Sequence, residues 1–206
     1  MAKGKLIVIS GFSGAGKGTV VKQLVEKYGY SLSISATTRA PREGEQDGRE
    51  YYFKTVEEFK SLIDYNGLIE WAQYVENYYG TPRKFVEQEL AAGKNVILEI
   101  EVQGAMNIKK QYPDSMLIFI TTKDIPTLYE RLLGRGSESE EVVKKRMKRA
   151  DEEAESMDCY EYIVVNDVLD ECVDAVHSIV VSEDCRKENN IDFLNSIKTQ
   201  LDEYNS

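Results

Sequence analysis

The sequence contains one histidine, His177, in 206 residues. With so little imidazole, base-dependent hydrolysis at neutral pH or a histidine-rich metal site would be hard to build. His177 itself stands among Val173, Val176 and the run 179–181, and reads as a structural or surface residue. Cysteine is also scarce. Cys159, Cys172 and Cys185 are odd in number, widely spaced and form no C-x-x-C pair. That argues against a disulfide framework or a zinc site and fits reduced thiols in a cytoplasm. The apolar run after Met1-Ala2-Lys3-Gly4-Lys5 is too short for a signal sequence or a membrane span, so no membrane partner is expected. Positive charge is in deficit, with 26 Lys and Arg against 36 Asp and Glu and a net charge of −10. Wholesale binding to a nucleic-acid backbone is therefore not expected, and any phosphate ligand must be met by local basic clusters. There are no internal repeats or low-complexity segments, and the length suits one folding unit.

Against these absences stands Gly11-Phe12-Ser13-Gly14-Ala15-Gly16-Lys17, placed between the apolar run Leu6-Ile7-Val8-Ile9 and the helix-like Thr19-Val20-Val21-Lys22-Gln23-Leu24-Val25. The order is strand, tight loop, helix. A glycine, four residues, then Gly-Lys is the spacing at which backbone N–H groups wrap a polyphosphate while the helix N-terminus and the lysine add positive charge. Gly18 stands where a Ser or Thr hydroxyl would hold Mg²⁺, with Thr19 after it, so an ion is expected to be held mainly by phosphate oxygens and water.

Further along, Ser31–Ser35 alternates like a short strand, and residues 36–49 form a polar loop carrying Arg39, Arg42 and Arg49. Tyr51-Tyr52-Phe53 is strand-like, Thr55-Val56-Glu57-Glu58 is a capping box opening a helix to about Tyr65, and 68–74 alternates as a half-buried strand. Pro82 suits the first turn of a helix from Arg83 to Ala92. The stretch 35–93 thus reads as an insertion beside a main sheet. Runs 95–101, 115–121 and 162–165 are strands buried on both faces, separated by helices at about 103–111, 125–133 and 140–157. Such alternation argues for a parallel sheet with helices on both faces, whose ligands sit beyond the strand ends, where Gly11–Gly18 would meet Glu99 and Glu101.

Residues 127–151 are rich in Arg and Lys, including Arg131, Arg135, Arg146 and Arg149, in an otherwise acidic chain. Residues 191–204 have the spacing of an amphipathic helix that could pack on the body or on a second copy. A phosphate-wrapping loop, an arginine-bearing loop and a third basic segment together suggest that two phosphorylated molecules are brought together. Phosphoryl transfer to a phosphate acceptor needs its repulsion offset rather than a base, because the acceptor is already largely ionised at neutral pH.

The segment Ser35-Ala36-Thr37-Thr38-Arg39-Ala40-Pro41-Arg42-Glu43-Gly44-Glu45, with Gly48, Tyr51 and Phe53, closely resembles the nucleotide-recognition loop of guanylate kinases. So do Phe12–Thr19, Ile69–Ala72, Asn77–Thr81, Glu99–Gly104, Arg131–Gly136, Lys145–Met147 and Val165–Asp167, so that the resemblance runs from about Lys5 to Ser182. It implies an α/β fold of the P-loop nucleoside monophosphate kinase type: a five-stranded parallel core sheet (1–34, 94–124 and 156–190), a GMP-binding region (35–93), a mobile lid (125–155) and a C-terminal helical tail (183–206). It also implies Mg-dependent transfer of the ATP γ-phosphoryl group to GMP or dGMP by a monomer or homodimer.

Carried over by position, the resemblance assigns Gly11, Ser13, Gly14, Ala15, Gly16, Lys17, Gly18 and Thr19 to the ATP phosphates, and Asn166 and Asp167 to its adenine end. Arg39, Arg42, Tyr51 and Tyr79 would hold the GMP phosphate, while Ser35, Glu70 and Thr81 would read the base. Glu99 and Glu101 would face GMP or metal-bound water, the latter being a departure because the family often has Asp there. Lys17, Arg42, Arg135 and Arg146 would carry the catalytic charge, with Arg131 and Arg149 as further candidates and no direct metal ligand assigned. Two alternatives stay open. Gly-Lys-Gly-Thr also resembles adenylate kinases, and non-catalytic guanylate-kinase-like modules bind phosphorylated peptides through the equivalent arginine loop, generally with a degraded ATP site. A regulatory GTPase is disfavoured, since no Asn-Lys-x-Asp motif occurs.

Overall fold

A computed structural model describes residues 4–74, 76–134 and 140–205. The first strand, β1 (Leu6–Gly11), is buried along its whole length and is followed by α1 (Lys17–Tyr28) and β2 (Ser31–Ser33). The remaining strands of this sheet are β7 (Val96–Glu99), β8 (Met116–Thr121) and β9 (Tyr162–Val165), in the all-parallel order β2-β7-β1-β8-β9. The chain steps one way from β1 to β2 and the other way from β2 to β7. Right-handed crossovers then put the connecting helices α1 and α3 (Arg83–Ala91) on opposite faces. Covered on both sides, β1 and β8 are apolar until their last residues, and Ile7, Val8, Ile9 and residues 117–120 are fully buried.

The expected strand over 31–35 divides because the chain leaves this sheet after Ser33. Ala36–Thr37 (β3) enters a second sheet with β4 (Tyr52–Phe53), β5 (Leu68–Tyr74) and β6 (Asn77–Pro82), in the order β4-β3-β6-β5. Helix α2 (Val56–Asp64) begins at the expected capping box: Thr55 Oγ1 accepts from the Glu58 N–H at 3.1 Å, and Glu58 Oε2 accepts from the Thr55 N–H at 2.8 Å. Phe59 of α2 packs with Ala36 and Leu68 in a small core of its own. Ile69 instead joins the main core, as do Val86 and Leu90 of α3, so the region 35–93 shares its last helix with the parallel sheet.

Helix α4 (Val102–Gln111) connects β7 to β8. Helix α5 (Ile125–Leu133) starts at Asp124, whose carboxylate accepts from the Thr127 N–H at 2.8 Å. Helix α6 (Glu140–Ala154) ends three residues short of the expected boundary, and the chain tightens into a 3₁₀ turn at Met157–Cys159. Helix α7 (Leu169–Ser182) packs on α1, where His177 stacks on Tyr28 with ring centroids 3.5 Å apart and its Nδ1 meets the Tyr30 hydroxyl at 2.8 Å. The lone histidine is thus a packing residue. Helix α8 (Ile191–Tyr204) forms as its spacing predicts but buries none of its residues, leaving Phe193, Ile197 and Leu201 exposed. Among the described residues no helix is long and apolar enough to cross a membrane.

The core tightens around Phe119 of β8, which is fully buried and meets Phe12 and Tyr160 edge-on at centroid distances of 5.0 and 5.2 Å. Phe12 belongs to the phosphate loop, so this cluster ties the loop to the sheet. Phe119→Ala is expected to cost about 3–5 kcal/mol, measured by equilibrium urea unfolding.

Candidate active site

Four parallel strands end along one edge, bringing Gly11, Glu99, Thr121 and Val165 to the same side of the sheet. The loop 12–16 turns there from β1 into α1. Gly16 takes φ = +90° as the N-cap of α1, a left-handed conformation that costs glycine nothing. A side chain at this position would also strike Asn166, since a Cβ would stand 2.6 Å from its Nδ2. That amide is buried and donates to the Ala15 carbonyl at 2.8 Å. Arg131 of α5 in turn donates to the Asn166 carbonyl at 2.9 Å. Asn166 and Arg131 therefore brace the loop from behind. Lys17 Nζ donates to the carbonyls of Gly11 at 2.6 Å and Phe12 at 3.2 Å, so its ammonium is held across the mouth of the loop.

Glu99 lies at the front of the loop. A Cβ on Gly18 would stand 3.7 Å from both of its carboxylate oxygens, ordinary van der Waals contact, so this acid lies close against the first turn of α1. Burial raises the Glu99 pKa, with the Lys17 charge opposing and the Glu101 charge adding to it. Among the described residues no group of three His, Cys, Asp or Glu gathers into a metal site.

The second sheet supplies the other half. Arg39 Nη2 donates to both carboxylate oxygens of Glu45, at 2.9 and 3.0 Å, and the guanidinium lies 5.3 Å from the centre of the Tyr51 ring and 5.8 Å from that of Phe53. Burial pushes the Glu45 carboxyl up, but the Arg42 N–H and the Arg39 guanidinium outweigh it and leave the pKa below the usual value. Tyr51 meets Tyr79 edge-on at 6.0 Å, and burial, then the Glu99 charge, raises its phenol pKa. These contacts bring Arg39, Tyr51, Tyr79 and Glu99 together. The Arg42 side chain is exposed, and Ser35 is half-buried where the chain crosses between the sheets, its carbonyl accepting from the Tyr52 N–H at 2.9 Å.

Glu70 departs most from its local pattern. In the alternating run 68–74 it reads as one more half-buried strand residue, yet it is only 5% exposed. A register shift between Leu68 and Glu70 sets Glu70 opposite Thr81 of β6, and the Thr81 hydroxyl donates to Glu70 Oε1 at 2.7 Å. Burial pushes the Glu70 pKa up to about 7, although the hydrogen bonds from Thr81 pull the other way. A groove of about 510 Å³ runs beside Glu70 between β5, the outer strand of its sheet, and Gln103, Asn107 and Gln111 of α4.

From the basic segment, Arg149 of α6 bridges Glu101 at 3.0 Å and Glu153 at 2.9 Å, so Glu101 is engaged by this helix. Glu153 is buried, and burial, then the neighbouring Glu101 charge, raises its pKa. The i,i+4 spacing of Arg149 and Glu153 was the available sequence signal, but only burial makes that pair consequential. Arg146 is half-buried on the same helix, whereas Arg135 lies outside the described residues. Asp167 is exposed and pairs with Lys123 at 3.2 Å.

The glycine-rich strand–loop–helix, set at the centre of a parallel sheet of order β2-β7-β1-β8-β9 and joined by a small second sheet, defines a P-loop fold of the nucleoside monophosphate kinase class. Residues 3–183 match the family model described as guanylate kinase. The chain is 46% identical over 199 residues to a guanylate kinase of Caldanaerobacter subterraneus subsp. tengcongensis, covering 96% of this chain and 97% of that one. It is 50% identical over 188 residues to one of Bacillus cereus, covering 90% and 92%. A crystal structure of guanylate kinase from Anaplasma phagocytophilum superposes with a TM-score of 0.75 at 31% identity, covering 90% and 89%. The chain belongs to the guanylate kinase family.

The raised pKa of Glu70 has a signed consequence for stability. Between its ordinary 4.5 and about 7 the folded carboxyl keeps its proton while the unfolded one has lost it, so stability falls as pH rises through that window and levels off above it. Equilibrium urea unfolding from pH 4.5 to 8 should show this loss, on the order of 3 kcal/mol, in the wild-type protein, with that part of the pH dependence missing from Glu70→Gln.

Proposed function

We propose that the chain transfers the γ-phosphoryl group of ATP to GMP, and by the same contacts to dGMP, forming the corresponding diphosphate and ADP. The observation that carries this reading is the buried Glu70 carboxylate held by Thr81 at 2.7 Å. Guanine offers two adjacent donors, N1–H and N2–H, that a carboxylate accepts together, whereas adenine presents an acceptor at N1 and would leave a buried charge unpaired. Sites built on such hydrogen bonds discriminate by about 10⁴ or more. The same requirement separates this reading from an adenylate kinase.

Two polyanions must then be held end to end. Lys17 would exchange the loop carbonyls for ATP phosphate oxygens, and the loop N–H groups would wrap the rest. Arg39, pre-oriented by Glu45 and Tyr51, would hold the GMP phosphate with Arg42, Tyr51 and Tyr79, while Ser35 and Thr81 complete the base site. Arg146, together with Arg135, would approach the transferring group as the lid segment 125–155 closes and excludes water. The acceptor phosphate needs no general base, which suits a site without histidine. Asn166 would act through Ala15 as much as through adenine.

ATP would enter as its Mg²⁺ complex. The ion would supply charge neutralisation across the phosphates, and Glu99, a carboxylate beside Gly18 at the front of the loop, offers the oxygen donors that a hard cation takes and would hold it through water. A cytoplasmic setting goes with this reading, in keeping with three unpaired thiols.

A coupled assay of ADP formation with GMP, dGMP, AMP, UMP and CMP in turn tests the assignment, and turnover with the two guanine nucleotides alone is the expected result. Glu70→Gln should lower kcat/KM for GMP about 10–100-fold while the KM for ATP stays within twofold; unchanged GMP kinetics would contradict the base assignment. Lys17→Ala should lower kcat by about 10²–10³ with the fold intact by circular dichroism, and a full-rate variant would count against transfer at this loop.

A further inference from the structure

Glycine inside a helix is less favourable than alanine, because it gives up more backbone freedom and offers no side chain to pack. Gly104 is nevertheless the third residue of α4, and it is buried. Its surroundings supply a reason. A Cβ built on Gly104 would stand 2.9 Å from Glu70 Oε2, 3.4 Å from the carboxyl carbon of Glu70 and 3.3 Å from Ile100 Cδ1. The other oxygen of that carboxylate accepts from Thr81 at 2.7 Å. Glu70 is thus gripped on one side by a hydroxyl and rests on the other against bare helix backbone.

We propose that Gly104 is a specificity-determining positioning residue: the absent side chain lets α4 close on Glu70, which fixes the carboxylate in the orientation that accepts both guanine donors. This rests on the reading of Glu70 as the guanine-recognising group. A methyl group at 104 would force the carboxylate to turn or withdraw, because a methyl carbon does not approach an oxygen to 2.9 Å, even a C–H···O contact holding the two about 3.3 Å or more apart. The displacement cannot be absorbed by lengthening the bond to Thr81, which is already near its optimum. Two adjacent donors on a planar base are less forgiving of such a shift than one. The effect should therefore fall on the recognition of N2–H as well as on affinity. Helix α4 itself should not suffer, since alanine is the better helix former.

The test compares Gly104→Ala, Glu70→Asp, the double variant and Glu70→Gln with the wild type, using GMP and inosine monophosphate, whose base has N1–H but no 2-amino group. For Gly104→Ala the KM for GMP should rise about tenfold and the preference for GMP over inosine monophosphate should fall about tenfold. The KM for ATP should stay within twofold, and the melting temperature should not drop. In Glu70→Asp the carboxylate is already withdrawn by one methylene, so adding Gly104→Ala should change the KM for GMP by less than twofold. Wild-type GMP kinetics and preference in Gly104→Ala, or additive effects in the double variant, would overturn the proposal. If Gly104→Ala does not fold, recovery of folding in the double variant supports it, and failure of both overturns it. Should Glu70→Gln leave GMP use untouched, it is the guanine reading itself that fails, whatever the Gly104 variants do.

Discussion

A parallel sheet delivers all its strand ends to one edge, and a loop that wraps an anion must leave the middle of that edge. β1 meets this constraint by running between β7 and β8. Its last residue, Gly11, lies directly beside Ile120, and a Cβ there would collide with the Ile120 carbonyl. The loop is then pinned from within by Phe12 against Phe119 and from behind by Asn166 and Arg131 on Ala15. Rigid N–H groups aimed at a fixed point need no reorganisation when charge arrives, which is what makes them effective.

The second sheet follows a different logic. Its own core is small, centred on Phe59, and it is tied to the body by Ile69 and by α3. Adjacent residues of β5 thus meet different partners: Ile69 packs in the main core, and Glu70, placed by the register shift, meets Thr81. Burying that carboxyl costs stability at neutral pH, as its raised pKa records. On the proposed reading, a base with two donors would return what desolvation took.

Charge is arranged with similar economy. In a chain of net charge −10, two guanidinium groups near the site are held by acids: Arg39 by Glu45, and Arg149 by Glu101 and Glu153. Such pairing orients the cation before an anionic ligand arrives. The link from Arg149 to Glu101 also joins α6 to the residue that caps α4, so the position of α6 and the charge beside Glu99 are coupled.

The phosphate loop, the alternation of strands and helices, the capping box at Thr55 and the helix 125–133 were legible in the sequence, because each depends on residues within a few positions of one another. The division of Ser31–Ser35 between two sheets, the early end of α6 and the burial of Glu70 were not. Strand periodicity reports which residues share a face, and a register shift against β6 changes that without leaving a local trace. Asn166 and Arg131 as braces and Gly104 as the floor beneath Glu70 depend on partners far along the chain, which the packing of elements alone selects. The amphipathic spacing of 191–204 determined a helix, but whether its apolar side would be covered was a matter for tertiary structure, which leaves it open to solvent. Local spacing sets what each segment can form; long-range packing decides which polar groups lose water, and recognition chemistry follows from that loss.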